Sequence, residues 1–106
     1  MGLFDWTFHS PGEEQLREVA EWIVQHSLPE VLQRVTGLTP EMLPAEARGY
    51  IRTRAAKVVN REIAAALAAD RQLQSVDRTR LAALVTDTLV AAIADQRRML
   101  RRTAAA

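Results

Sequence analysis

Residues 44–73 read PAEARGYIRTRAAKVVNREIAAALAADRQL, and the reading of this stretch decides the fold. After Pro44 it contains no proline and a single glycine, Gly49, so nothing in it forces a break. Its alanines, arginines and glutamates are good helix formers. One long helix is expected here, and at 1.5 Å per residue about 28 residues would span roughly 42 Å. Asp70 to Asp77 reads as a turn, with Ser75 or Asp77 as the next cap. A second long helix is expected over 77–102. Its apolar stripe runs through Leu81, Leu84, Val85, Leu89, Ala92, Ile93 and Met99 or Leu100. Two long helices joined by a short polar turn predict an antiparallel helical hairpin.

The chain ahead of that hairpin is jointed. Ser10-Pro11-Gly12-Glu13 carries a capping serine, a proline suited to the first turn and a glutamate three residues after the cap. Leu16, Val19, Ala20, Ile23 and Val24 follow with the 3-4 spacing of one apolar face, and Trp22 falls off its centre. Ser27-Leu28-Pro29-Glu30 repeats the start signal, so Pro29 is expected to end one helix and open another. Val31, Leu32 and Val35 would line the second, with Gly37 as its C-terminal cap. Thr39-Pro40-Glu41 starts a further turn, interrupted at Pro44. Residues 11–36 therefore read as two short helices. The expected fold is all-α, a single domain over 1–106: a long hairpin (44–73 and 77–102) with shorter N-terminal helices at one end.

Residues 1–9 alternate apolar and polar, and Phe4, Trp6 and Phe8 fall within five residues beside Leu3. Together with Trp22 these side chains are the apolar interaction candidates, either packed on their own subunit or inserted into another.

Charge divides the chain. Residues 1–47 carry Asp5, Glu13, Glu14, Glu18, Glu21, Glu30, Glu41 and Glu46 against Arg17 and Arg34, a net −6. Residues 48–106 carry eleven arginines and Lys57 against five carboxylates, a net +7. The halves either fold onto one another or offer the basic one to an acidic partner. The basic candidates are Arg48, Arg52, Arg54, Lys57 and Arg61, of which the last three share a helix face by spacing. Arg97, Arg98, Arg101 and Arg102 form a second cluster at the far end.

Several function classes lose their chemistry at the level of composition. There is no cysteine, which removes disulfides and thiolate metal sites. The four glycines are scattered, so no phosphate-cradling loop is available. Glu14, Glu18 and Glu21 lie opposite the apolar stripe, and no Glu-x-x-His pair exists to build a carboxylate-bridged metal site. His9 and His26 have no spacing that would pair them with a nucleophile. No catalytic residue, metal or cofactor is therefore expected, and no membrane span either. Cytoplasmic placement follows by default.

The resulting expectation is a non-enzymatic protein–protein interaction or assembly module. Homodimerisation is expected because short helices would leave a long hairpin uncovered. The alternative is a nucleic-acid-associated protein using the basic faces. It is disfavoured by a total charge of +1 and by the scarcity of aromatics among the arginines, where Tyr50 stands alone.

Overall fold

The computed structural model describes residues 11–73 and 75–105, with side chains over 13–73 and 75–97. Three helices make up most of it: α1 (Pro11–Arg34), α2 (Pro44–Ala69) and α3 (Arg78–Ala105). A 3₁₀ turn, Arg71–Leu73, lies between α2 and α3. No strand occurs among the described residues. The architecture is an all-α three-helix bundle in which each helix packs against the other two. Gln15 meets Gln72 and Glu30 meets Arg61, so α1 and α2 run antiparallel. Arg52 meets Asp87 and Arg97 meets Met42, so α3 also runs antiparallel to α2.

The expectation of two short helices over 11–36 is corrected: α1 is one helix of 24 residues with Pro29 inside it. The reason lies in the phase of the buried positions. Leu16, Ala20, Ile23, Val24, Ser27 and Val31 keep the 3-4 spacing straight through the proline, and all are buried. A mid-helix proline costs about 3 kcal/mol. Burying Val31 together with Val35 recovers a similar amount, at about 1.5–3 kcal/mol per side chain. Pro29 and Gln25 both sit on the exposed side, so the carbonyl deprived of its amide partner faces water. Ser27, read as a cap, is instead fully buried mid-helix, and its hydroxyl has no hydrogen-bond partner.

A second correction follows. With α1 this long, α2 and α3 do not stand apart as a hairpin covered at one end. The core is shared: Leu16, Ile23 and Val31 from α1 join Ile51, Val58 and Ile63 from α2 and Leu81, Val85 and Leu89 from α3. On α3, Leu84 is only half-buried and Ala92 is exposed, while Val90 is buried in addition. Met99 and Leu100 lie outside the described side chains.

Local chemistry sets the ends. Asp77 Oδ1 accepts the Thr79 and Arg80 amides at 3.0 and 3.2 Å, capping α3 as one of the two sequence candidates. Helix α2 stops at Ala69, four residues before the expected end. Asp70 turns extended (φ −132°, ψ 112°) and its Oδ1 accepts the Gln72 amide at 2.9 Å. At the start of α2, Glu46 reaches back to accept the Leu43 amide at 3.3 Å. Between α1 and α2, Thr39–Met42 forms a single hydrogen-bonded turn.

Gly37 has another role than the expected cap. It does not adopt a positive φ. A Cβ there would stand 2.5 Å from the Tyr50 hydroxyl oxygen, which accepts the Gly37 amide at 3.1 Å. The residue is small because the tyrosine occupies the space. Gly49, by contrast, lies on the α2 surface, where an added Cβ would meet nothing within 4 Å.

Three substitutions separate these roles. Gly49→Ala should raise stability by about 0.5–1 kcal/mol through helix propensity alone. Ser27→Ala should raise it by about 1 kcal/mol by removing an unpaired buried hydroxyl. Gly37→Ala should lower it by about 1–2 kcal/mol through the clash. Thermal melts check the signs, since about 1 kcal/mol moves Tm by roughly 4–8 °C in a domain of this size.

Candidate protein-interaction surface

The outward side of α1 carries the most conspicuous exposed group in the described structure. Trp22 is 51 % exposed, at a position where the core stripe turns toward solvent. Its ring stacks on His26 one turn later, with centroids 3.9 Å apart and planes 28° from parallel. The Nδ1–H of His26 donates to the Trp22 carbonyl at 2.8 Å, which orients the imidazole beneath the indole. Trp22 is thus a held ridge.

A groove lies on each side of that ridge. The one toward α2, about 510 Å³, has a shallow floor of Ala66 and Ala69 and is bordered by Val19, Leu73, Glu18 and Asp70. Gln15 donates to the Gln72 carbonyl at 3.2 Å and closes its end. The groove toward α3 is bordered by Glu18, Glu21, Gln25 and Thr88. Leu43, a second large exposed apolar side chain, sits apart at the start of α2. The apolar arm candidates Leu3, Phe4, Trp6 and Phe8 lie outside the described residues.

The basic candidates do not form one surface. Arg52 pairs with Asp87 of α3 at 3.0 Å. Arg61 makes a two-pronged contact with Glu30 of α1, its Nη1 at 3.1 Å from Oε2, and also reaches Glu62 at 3.1 Å. Arg54 lies over the Tyr50 ring, 5.0 Å from its centroid. Arg48 and Lys57 project from exposed positions and take part in none of the ion pairs seen among the described residues.

Arg97 is withdrawn from its cluster altogether. Its Nη2 donates to the carbonyls of Thr39, Pro40 and Met42 at 3.0, 3.1 and 2.6 Å, clamping the α1–α2 connection to α3. Its Nε is buried without a partner. No spacing rule could have signalled this role, because its acceptors lie 55 to 58 residues away. Arg98, Arg101 and Arg102 follow in the last turns of α3, their side chains outside the described set.

Among the described residues, two ion pairs join the acidic and basic halves of the chain. Arg80 Nη1 stands 2.5 Å from Glu13 Oε1, and Arg61 bridges to Glu30, which also holds Arg34 at 3.1 Å. The hydrogen bond from Arg80 holds the Glu13 carboxyl below its ordinary pKa. The hydrogen bond from Arg61, helped by Arg34, does the same for Glu30 against the opposing cost of burial. The Arg61 guanidinium is driven further up by the same Glu30 contact. These groups are solvent-exposed, so the pairs orient the helices more than they stabilise them.

Among the described residues no group of three or more His, Asp and Glu converges to hold a metal ion. No described helix is long and apolar enough to cross a membrane. Compared with protein families, curated proteins and solved structures, the chain finds no match in any of the three.

Two outcomes follow from these contacts. Arg97→Leu should cost about 2–3 kcal/mol, because charge-assisted hydrogen bonds to three carbonyls vanish. Arg52→Leu, an exposed pair on the same bundle, should cost under about 1 kcal/mol in the same denaturant titration. The ion pairs give a pH signature. Folding lowers the Glu13 and Glu30 pKa values, so their contribution is full above the ordinary value of 4.5 and fades as pH falls through the lowered folded values. The Tm gap between the native chain and Glu30→Gln should therefore be present near neutral pH and shrink as the pH is taken below 4.5.

Proposed function

We propose that this chain is a non-enzymatic protein–protein interaction or assembly module that self-associates through the outward side of α1. The observation that carries the reading is Trp22, half exposed yet held by His26 between two grooves. Tryptophan is enriched at the energetic centres of interfaces because its large ring buries much area at little entropic cost. The carboxylates of Glu18, Glu21 and Asp70 supply the polar rim that such centres require.

An uncovered hairpin would call for a second copy, but α1, one helix of 24 residues, shares a common core with α2 and α3. Self-association rests on Trp22 instead. Nucleic-acid binding is the other class. Arg52, Arg61 and Arg97 are engaged within the chain, which leaves fewer cations for phosphate contacts.

Sedimentation equilibrium with the native chain and Trp22→Ala tests the reading. A native dimer whose Kd weakens by about 30-fold or more in the variant is the expected result, given that truncating an interface centre costs about 2 kcal/mol or more. An unchanged Kd would remove Trp22 from the contact. A monomer that shifts nonspecific duplex DNA in a salt-dependent way would put the nucleic-acid class in its place.

A further inference from the structure

A groove with an alanine floor opens between Trp22 and α2, and we infer that residues 4–8 of the same chain fill it, folded back along α1 as an extended arm. Residues 1–10 lie outside the described residues, and Phe4, Trp6 and Phe8 among them hold three of the five aromatic rings of the chain. An apolar segment of this density left in water is an aggregation hazard, so it calls for a cover. This docking does not rest on the self-association proposed above. The arm takes the α2 side of the Trp22 ridge and leaves the groove on the α3 side to a second copy.

Helical phase delivers the arm to the groove. Pro11, the first residue of α1, is followed at 4, 7 and 11 residues by Gln15, Glu18 and Trp22. At 3.6 residues per turn these four positions share one face, and the last three line the groove. The chain therefore enters α1 on the face that carries the groove, one turn ahead of its mouth at Gln15. Along α1 the groove runs from Gln15 to Trp22, about 10 Å at 1.5 Å per residue. An extended run from Phe4 to Phe8 spans about 13 Å. Its centre, Trp6, can reach up to about 17 Å from Pro11. The middle of the groove is only about 11 Å along the helix from Pro11. The surplus is what a reversal over His9 and Ser10 consumes.

The alternation of the arm suits the site. In an extended segment every second residue shares a side, which puts Phe4, Trp6 and Phe8 together and Asp5, Thr7 and His9 opposite. The rings meet Ala66 and Ala69, whose short side chains leave the depth, between walls of Val19, Trp22 and Leu73. Val19 and Ala66 already pack against the core, so the rings extend an existing apolar cluster. The polar side of the arm is left to water and to the rim at Glu18 and Asp70. A short tether holds the arm near its own groove at an effective concentration of about 1 mM, far above that of an arm from a second copy in dilute solution.

Disulfide trapping in the full chain tests the docking, and the absence of native cysteine removes any background. Phe8→Cys with Ala69→Cys pairs the ring side of the arm with the groove floor; Thr7→Cys with Ala69→Cys pairs the opposite side. The first should close to a cross-linked monomer about tenfold faster than the second, at a rate independent of protein concentration. Equal rates would mean a tethered arm that does not dock, and would overturn the proposal. Cross-linked dimers as the main product would overturn it in favour of arms exchanged between copies. Amide NMR of Phe4→Ala with Trp6→Ala gives a second readout. Signals of Val19, Trp22, Ala66, Ala69 and Leu73 should shift, while Val35 and Ile51 at the far end of the bundle stay in place and show that it is folded. Groove signals that do not move would overturn the site. Neither readout depends on the dimer Kd, so self-association stands or falls separately.

Discussion

The bundle depends on the unbroken apolar stripe of α1. Ile23 and Val31, on either side of Pro29 along that helix, are both fully buried between α2 and α3. If the helix broke at the proline, the second half would leave the phase of the first and one of them would leave the core. The cost of a missing amide is local and falls on the solvent side, whereas the gain from burial accumulates over the whole helix. Everything that positions the candidate surface follows from this continuity. Trp22, His26, Glu14 and Arg34 keep defined separations because they ride on one rigid element.

Electrostatics completes the arrangement at a smaller scale. The division of charge along the chain is partly settled inside the bundle, through Glu13 with Arg80 and Glu30 with Arg61. These exposed pairs add little stability and favour the observed pairing of helices whose buried faces are mostly valine, isoleucine and leucine. Arg97 contributes more, because its guanidinium holds three carbonyls of the connection between α1 and α2.

Much of the architecture was readable in the residues. Helix type, the long uninterrupted stretches after Pro44 and Asp77, the Asp77 cap and most of the α3 stripe follow from periodicity and capping chemistry, which act over a few residues. The readings that needed correction involved signals of equal local strength but different range. Ser27-Pro29 looks like Ser10-Pro11, yet only the second opens a helix, since what separates them is whether the next apolar residues stay in phase with a core on other helices. Gly37 suggested a left-handed cap, whereas its size serves a tyrosine thirteen residues on.

The candidate surface divides in the same way. Trp22 stood out in the sequence as an aromatic beside the stripe, because its exposure is a matter of helical phase. That Trp22 stacks on His26 between two grooves, and that Arg97 leaves its cluster to hold a turn, were decided by the tertiary structure alone. The sequence by itself determined helices, their apolar faces and an excess of acid before base. Which side chains meet depends on how those helices are laid together, and that is set by burial summed over all of them.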